Sequence, residues 1–351
     1  MTRIGADFSA VNFSSDTSAP AHPAVLRQLE AVNTGMEGSY GADKATGRVR
    51  DYLTDALETD DFDFWLCASG TAANALALSV MCPPTGSILC HREAHIERDE
   101  RGAPEFFTGG AKLHLLDGAS AQVDEVALRE ALAGINRDFV HETPAHTLSL
   151  TNLTESGTAY FPSKITHYAA LAHEAGLNVH LDGARLANAI AWTGQSLAEM
   201  TWRAGVDLVT LGLTKTGAIG CEIILLFGEM RAKYPELLAR AKRSGHMPPK
   251  MRFLAAQAEA LLGDGLWLDL AKSANTHARA LEAILCTDPR VRLAHVVNGN
   301  EVFAVLPDDM VKALNEAGAV FYPWIDESHR FVCSWATPQS DLDALRAALG
   351  R

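Results

Sequence analysis

The sequence lacks the features of nucleic-acid-binding and disulfide-bonded secreted proteins. Its 351 residues include 30 basic and 43 acidic side chains, a formal net charge of −13, with no block of like charge. Nucleic acid is therefore not an expected partner, because phosphate neutralisation needs clustered lysines and arginines. The six cysteines are scattered without a CxxC pair, which predicts buried free thiols in a reducing cytosol.

Long apolar runs and nucleotide-binding motifs are also missing. The N-terminal stretch MTRIGADFSAVNFSSD has no charged start followed by an apolar run, and no apolar stretch approaches the length of a membrane span. Neither GxGxxG nor the Walker-type P-loop pattern occurs. We therefore expect a cytoplasmic protein that binds neither membranes nor nucleic acid.

Over the first 230 residues, short strand-like runs alternate with longer helical ones. This alternation predicts an α/β fold with a mostly parallel sheet and helices on both faces. The expected strands lie at 62–68, 86–90, 111–116, 147–152, 177–182, 206–213 and 221–227. We expect the last two to be antiparallel, because the TKTGAIG turn between them is too short for a helical crossover.

After about residue 230 the pattern changes to that of a smaller α+β domain. Helical stretches are expected at 229–243, 250–285, 308–317 and 340–349, and strands at 291–297, 301–306 and 329–335. The resulting prediction is an N-terminal segment (1–30), a large domain (31–245) and a small C-terminal domain (246–351).

Three segments place reactive residues beside strand ends. In SGTAAN, Ser69, Gly70 and Thr71 precede a helix whose free N–H groups suit a phosphate, although a simple N-cap is the ordinary interpretation. In LNVHLDGAR, Asp182 follows a buried strand, where a carboxylate needs a charged partner unless it only caps a turn. In LGLTKTGA, Lys215 follows another strand, where burial would lower its pKa and favour the neutral amine that forms Schiff bases.

Together these three features match the requirements of pyridoxal 5′-phosphate (PLP). Its phosphate needs hydrogen-bond donors, its ring nitrogen needs a carboxylate, and its aldehyde needs a lysine. The alternative is a non-catalytic or metal-dependent α/β binding protein, in which Lys215 is an ordinary loop residue.

The chain resembles the threonine aldolase family of fold-type-I PLP enzymes, and within it the low-specificity L-threonine aldolase and phenylserine aldolase branch. Eight segments carry the resemblance in the family's order: SSDT (14–17), SYGAD (39–43), ASGTAAN (68–74), HREAHIERDERGAPEFF (91–107), HLDGARLANA (180–189), LGLTKTGA (211–218), KMRF (250–253) and RFVCSWAT (330–337). The resemblance implies the aspartate-aminotransferase-like fold with a seven-stranded mixed sheet, assembled as a homodimer or homotetramer.

The activity that the resemblance implies is retro-aldol cleavage of L-β-hydroxy-α-amino acids to glycine and an aldehyde. Threonine, allo-threonine and phenylserine all remain candidate substrates. Other activities of the same fold, namely β-elimination, racemisation or transamination, are the alternatives. The products distinguish them: β-elimination, for example, gives ammonia and a 2-oxo acid such as pyruvate, without glycine.

The family also implies a role for individual residues. Lys215 would form the Schiff base, Asp182 would pair with the pyridinium nitrogen, and His95 would stack on the cofactor ring. Ser69, Gly70 and Thr71 would hold the phosphate, and Arg252 would reach the cofactor phosphate of a neighbouring subunit. The cofactor 3-oxygen and the substrate carboxylate would be bound by Arg185, Arg330 and Ser15.

The region around His95 departs from the family pattern in two ways. Asp99 stands where some members have an aromatic residue, and the loop DGASAQVDE lacks a second histidine, although His114 lies just before it. We expect His95 to accept the β-hydroxyl proton directly or through water, with Glu97 or Asp99 as alternatives. A zinc site at His91, Glu93 and His95 is disfavoured because the order is HxExH and no third ligand is evident, so no metal is expected.

Overall fold

The computed structural model describes residues 11–325 and 327–350, and within them a larger sheet contains seven strands. These are β1 (Phe62–Cys67), β2 (Ser87–His91), β3 (Lys112–Leu116), β4 (Ala145–Thr151), β5 (Asn178–Gly183), β6 (Leu208–Gly212) and β7 (Glu222–Phe227). Every residue of β6 and β7 is buried, as expected for strands covered on both faces. All seven strands predicted between residues 62 and 227 are confirmed.

The order of the strands is β1-β7-β6-β5-β4-β2-β3. Strands β2 to β6 pair in parallel, whereas β7 is antiparallel to both β6 and β1. The predicted mixed, mostly parallel sheet and the antiparallel β6–β7 pair are thus confirmed. Because β4, β5 and β6 are parallel, their carboxyl ends lie along one edge of the sheet, where α/β proteins bind ligands.

Helices of the first 245 residues surround this sheet. They are α1 (Pro23–Val32), α2 (Lys44–Leu57), α3 (Gly70–Met81), α4 (His95–Arg98), α5 (Ala103–Thr108), α6 (Glu125–Ala133), α7 (Pro162–Glu174), α8 (Leu186–Thr193), α9 (Leu197–Met200) and α10 (Tyr234–Arg243). Helix α3 is buried from Ala72 to Met81, because its sequence is apolar on nearly all sides. Its N-terminus is thereby fixed at the carboxyl edge of the sheet.

A second, antiparallel sheet follows in the order β10-β11-β9-β8. Its elements are α11 (Arg252–Leu262), α12 (Leu266–Leu285), β8 (Arg292–Leu293), β9 (Glu301–Val305), α13 (Asp308–Glu316), β10 (Tyr322–Pro323), β11 (His329–Val332) and α14 (Gln339–Ala348). Helix α12 places Trp267 in the apolar core of the larger sheet and Leu281 in that of the smaller one. The division into domains at residue 246 stays a prediction.

Several predicted elements differ in extent. The stretch 250–285 is interrupted at Gly263–Gly265, where Asp264 has a φ of 53° and Gly265 a φ of 70°, a left-handed bend that breaks a helix. The strand expected at 291–297 shrinks to Arg292–Leu293, because the chain then leaves the sheet and Asn298 accepts a hydrogen bond from the Ala159 N–H instead.

The cysteines are free, and five of the six are buried. Cys286 is exposed, because it follows the last residue of α12 at the protein surface, and the expectation of buried thiols is wrong at that position. Among the described residues, no helix combines the length and the apolar character needed to cross a membrane.

Candidate active site

Two adjoining cavities lie at the carboxyl ends of β4, β5 and β6. The smaller, about 210 Å³, is lined by Ser69, Gly70, Thr71 and Asp182 among others. The larger, about 620 Å³, extends toward the second sheet. Thr17, His95 and Lys215 line both cavities.

The N-terminus of α3 forms one end of the smaller cavity. Ser69 is the N-cap, and its hydroxyl accepts a hydrogen bond from the Ala72 N–H at 3.3 Å. At Gly70, an added Cβ would meet no atom within 4 Å, so the helix terminus faces open space. Free N–H groups and the positive end of the helix dipole make this a suitable place for a phosphate.

Asp182 is buried at the end of β5, with 2% of its surface exposed. One carboxylate oxygen accepts from the Asn74 side-chain amide at 2.8 Å, and the other accepts from the Ala184 N–H at 3.0 Å. These two donors offset part of the cost of burying a carboxylate and fix its position in the cavity wall.

Lys215 lies in the short 3₁₀ turn Thr214–Thr216 between β6 and β7. Burial lowers the pKa of its amine, and the charge of Arg185 lowers that pKa further, whereas Asp16 and Asp182 act in the opposite direction. Within the described residues its amine has no ion-pair partner. The expected downward shift of the Lys215 pKa is thus present, and it favours the nucleophilic neutral amine.

Glu222, the first residue of β7, holds the turn that carries Lys215. Its buried carboxylate accepts hydrogen bonds from the Thr214 hydroxyl and from the Leu213 N–H. Burial raises the pKa of Glu222 to about 7 against the lowering effect of these donors. Sequence analysis missed this residue.

His95 lies at the start of α4, beside the boundary between the two cavities. Its Nδ1 is 2.8 Å from Oε1 of Glu100, and its backbone N–H donates to Glu155 at 2.7 Å. Burial alone would lower the pKa of His95, but the hydrogen bond to Glu100 and the charge of Asp182 give a net upward shift. His91 does not approach this site, because its ring nitrogens bond the Gly118 carbonyl and the Glu93 N–H.

The larger cavity contains the remaining predicted substrate residues, Ser15, Arg185 and Arg330. Arg185 donates two hydrogen bonds to Asp16, at 2.8 and 3.1 Å, and lies 3.5 Å from Glu301. Arg330 is less engaged: its Cζ lies 4.6 Å from the centroid of the Trp324 ring, and its buried Nε has no hydrogen-bond partner. Its Nη2 donates to the Ser14 carbonyl oxygen at 3.4 Å, so the Arg330 guanidinium is less fully engaged than that of Arg185.

Comparison with known proteins decides the family. The family model for beta-eliminating lyases matches residues 12–308. The chain is 37% identical to a low-specificity L-threonine aldolase of Pseudomonas sp. (strain NCIMB 10558), over 95% of this chain and 96% of that one. It is 38% identical to a Pseudomonas aeruginosa protein of the same description, over 95% and 94%.

The chain belongs to the threonine aldolase family. A solved structure of Leishmania major threonine aldolase superposes with a TM-score of 0.89 at 26% identity, covering 97% of this chain and 98% of that one. The predicted fold class, that of fold-type-I PLP enzymes, is confirmed. The roles predicted for individual site residues stay predictions.

Not all residues that sequence analysis assigned to this threonine aldolase site reach the cavities. Arg252 lines neither cavity, and its guanidinium donates to the Thr34 and Gly35 carbonyl oxygens. Its contact with the cofactor phosphate of a neighbouring subunit stays a prediction. His114 lies on β3 at the edge of the sheet, beside a different cavity. Of the alternative bases, Asp99 lines the larger cavity and Glu97 lines neither.

Sequence analysis also missed polar residues that this member of the threonine aldolase family buries around the site. Asp16 and Asn74 lie inside segments that carry the family resemblance, as does Glu100, five residues after His95. Glu301, an acidic residue at the start of the apolar run EVFAV, was a detectable signal. No feature of the sequence marks Glu155 as a site residue, because it lies in a loop without a distinctive pattern.

Proposed function

We propose that the chain is a PLP-dependent lyase that cleaves L-β-hydroxy-α-amino acids, such as threonine, allo-threonine and phenylserine, to glycine and an aldehyde. Membership of the threonine aldolase family supports this activity. The observation that carries it is one cavity lined by a helix N-terminus, a buried carboxylate and a lysine with a lowered pKa.

The residues present fit PLP. Ser69, Gly70 and Thr71 would hold the phosphate at the N-terminus of α3, where Gly70 leaves open space. Asp182 would bind the protonated ring nitrogen, and the amine of Lys215 would bond the aldehyde carbon. When bound, PLP supplies a ring that accepts the electron pair released at the substrate Cα.

The larger cavity suits the amino acid. Arg330 would bind the substrate carboxylate with its guanidinium group, assisted by Ser15 and Arg185, because a guanidinium fork matches a carboxylate. Pro323, Trp324 and Ile325 form an apolar wall that would contact the β-substituent. Fixing the carboxylate orients the Cα–Cβ bond for cleavage.

His95 is proposed to accept the β-hydroxyl proton at Nε2, since its Nδ1 is bound to Glu100. The hydroxyl O–H bond breaks, the aldehyde C=O forms as the Cα–Cβ bond breaks, and the electron pair of that bond stays with the glycine fragment. A proton taken up at Cα completes glycine. No oxidant or reductant is needed.

Product analysis tests the proposal. The purified protein, incubated with PLP and with L-threonine, L-allo-threonine or L-phenylserine, should form glycine and the matching aldehyde in equal amounts. Lys215→Ala should abolish this, whereas Lys112→Ala, a change at an exposed lysine on β3, should not. Ammonia and 2-oxobutanoate from threonine or allo-threonine, or ammonia and phenylpyruvate from phenylserine, without glycine, would instead establish a β-eliminating lyase, the activity for which the matching family model is named.

We also infer a cytoplasmic homo-oligomer, a dimer or tetramer. Large apolar side chains at the surface support an interface between copies, among them Met36, Phe106 and Ile219, which are 101, 81 and 59% exposed. Ile219 also lines the smaller cavity, so a second copy would help to enclose the cofactor. The free thiols agree with a reducing compartment.

A further inference from the structure

Glu100 is a buried carboxylate that the roles above leave unexplained. It is 4% exposed, and its Oε1 lies 2.8 Å from Nδ1 of His95. A ring nitrogen that bonds a carboxylate is the protonated one, so this contact selects the form in which Nδ1 carries hydrogen. Nε2 is then the nitrogen left for a substrate.

Asn74 holds Glu100 in place. This buried side-chain amide donates one hydrogen bond to Glu100 Oε1 and another to Asp182, each 2.8 Å long. Glu100 Oε2 is buried without a partner, which costs free energy that a purely structural residue would avoid. The Glu100 carboxylate therefore contacts the His95 imidazole through Oε1 while its Oε2 has lost its hydrogen bonds to water.

We propose that Glu100 is a positioning residue: it fixes the imidazole of His95 with Nδ1 protonated, so that Nε2 accepts the β-hydroxyl proton. This inference rests on the proposed function. The carboxylate acts through the histidine and does not itself contact the substrate.

The charges around His95 determine how the pair titrates. Those on its own segment are Glu93, Arg98, Asp99 and Glu100. Those on other elements that line the same two cavities are Glu155, Asp182, Arg185, Lys215, Glu222 and Glu301. Burial raises the pKa of Glu100, and the pKa of His95 is also raised. The pair thus retains a proton between them, and removing the charge of Glu100 should lower the pKa of His95.

The test compares Glu100→Gln with Glu130→Gln in the PLP-loaded enzyme. Glu130 is an exposed glutamate on α6 that lines neither of the two cavities. In protein with ¹⁵N-labelled histidine, NMR titration should show the His95 pKa falling by about one unit or more in Glu100→Gln. The acid limb of kcat/KM should move to lower pH with it, and kcat should fall by about tenfold or more. Glu130→Gln should match the wild type.

A His95 pKa and acid limb that are unchanged in Glu100→Gln would overturn the proposal, even if kcat falls, since a structural role would lower kcat alone. If Glu100→Gln does not fold, Glu100→Asp serves, because it retains the charge but withdraws it from Nδ1. An intermediate His95 pKa is then expected, and a wild-type value would count against the proposal. Wild-type enzyme that forms no glycine contradicts the proposed function instead, whatever the NMR titration shows.

Discussion

At the scale of single residues, the proposed chemistry depends on how buried charges are partnered. Asp182 receives two N–H donors, and Arg330 keeps an unpartnered Nε beside the larger cavity. These differences suggest distinct roles: Asp182 binds the cofactor, and Arg330 binds the substrate. Each role can be tested by a substitution that preserves side-chain size or charge.

Asp182→Asn should weaken both cofactor binding and catalysis. The amide keeps an acceptor for Asn74 but cannot pair with a positively charged ring nitrogen. A charged hydrogen bond contributes about 1.5–3 kcal/mol, so kcat should fall by roughly tenfold to a hundredfold. Steady-state assays and visible absorbance titration with PLP measure the two effects, and a fully active variant would exclude the assigned role.

Arg330→Lys should raise KM by about tenfold or more while changing kcat less, because a lysine loses the bidentate fork that binds a carboxylate. Arg98→Lys, at another arginine that lines the larger cavity, is the matched control and should leave KM unchanged. Kinetics with L-threonine measure both variants. Equal KM values for wild type and Arg330→Lys would contradict carboxylate binding by this residue.

At the scale of elements, the order of strands and helices could be predicted because the strands are short and largely apolar, most clearly β6 and β7, which are buried at every residue. The antiparallel pairing of β6 and β7 could be predicted because the turn between them is too short for the crossover that parallel strands need. The small sheet was harder to predict: β10 and β8 have two residues each, too few for any periodicity. The break at Gly263–Gly265 depends on backbone conformation that apolar spacing does not encode.

Close packing between elements sets the position of the Lys215 turn. A Cβ at Gly212, the last residue of β6, would lie 2.6 Å from the Ala184 carbonyl oxygen, whereas one at Gly47 in α2 would meet nothing within 4 Å. Gly212→Ala should therefore lower Tm and cofactor occupancy. Gly47→Ala should keep occupancy and raise stability by about 0.5–1 kcal/mol, the helix cost of glycine. Thermal unfolding and PLP absorbance measure both, and a Gly212→Ala protein with wild-type Tm would contradict this packing.

At the scale of the whole molecule, the site draws together distant parts of the chain. Arg185 bonds Asp16 from the N-terminal segment and approaches Glu301 from the second sheet. Sequence analysis located Lys215, Asp182 and the α3 terminus because each follows a strand of one sheet. It did not place Asp16 or Glu301 at the site: each is a recognisable acidic residue in its own segment, but the contacts between separate layers that bring both to Arg185 leave no local pattern.

Buried carboxyl groups should make stability depend on pH. Burial raises the pKa of Glu155 to about 7, so between about pH 4.3, the ordinary glutamate value, and this value the folded state binds more protons than the unfolded state. Stability contributed by this group is therefore lost as pH rises through that window. Glu155→Gln should gain Tm relative to wild type as pH rises from about 5 to about 8. A constant difference in Tm would contradict the shift.

The most direct test of the central claim is to locate the covalent bond to the cofactor. PLP-loaded protein is reduced with borohydride, digested and analysed by mass spectrometry. The account predicts a pyridoxyl group on the peptide that contains Lys215, with no labelled peptide from Lys215→Ala. A pyridoxyl group on a different lysine, or none on any peptide of the wild type, would contradict it.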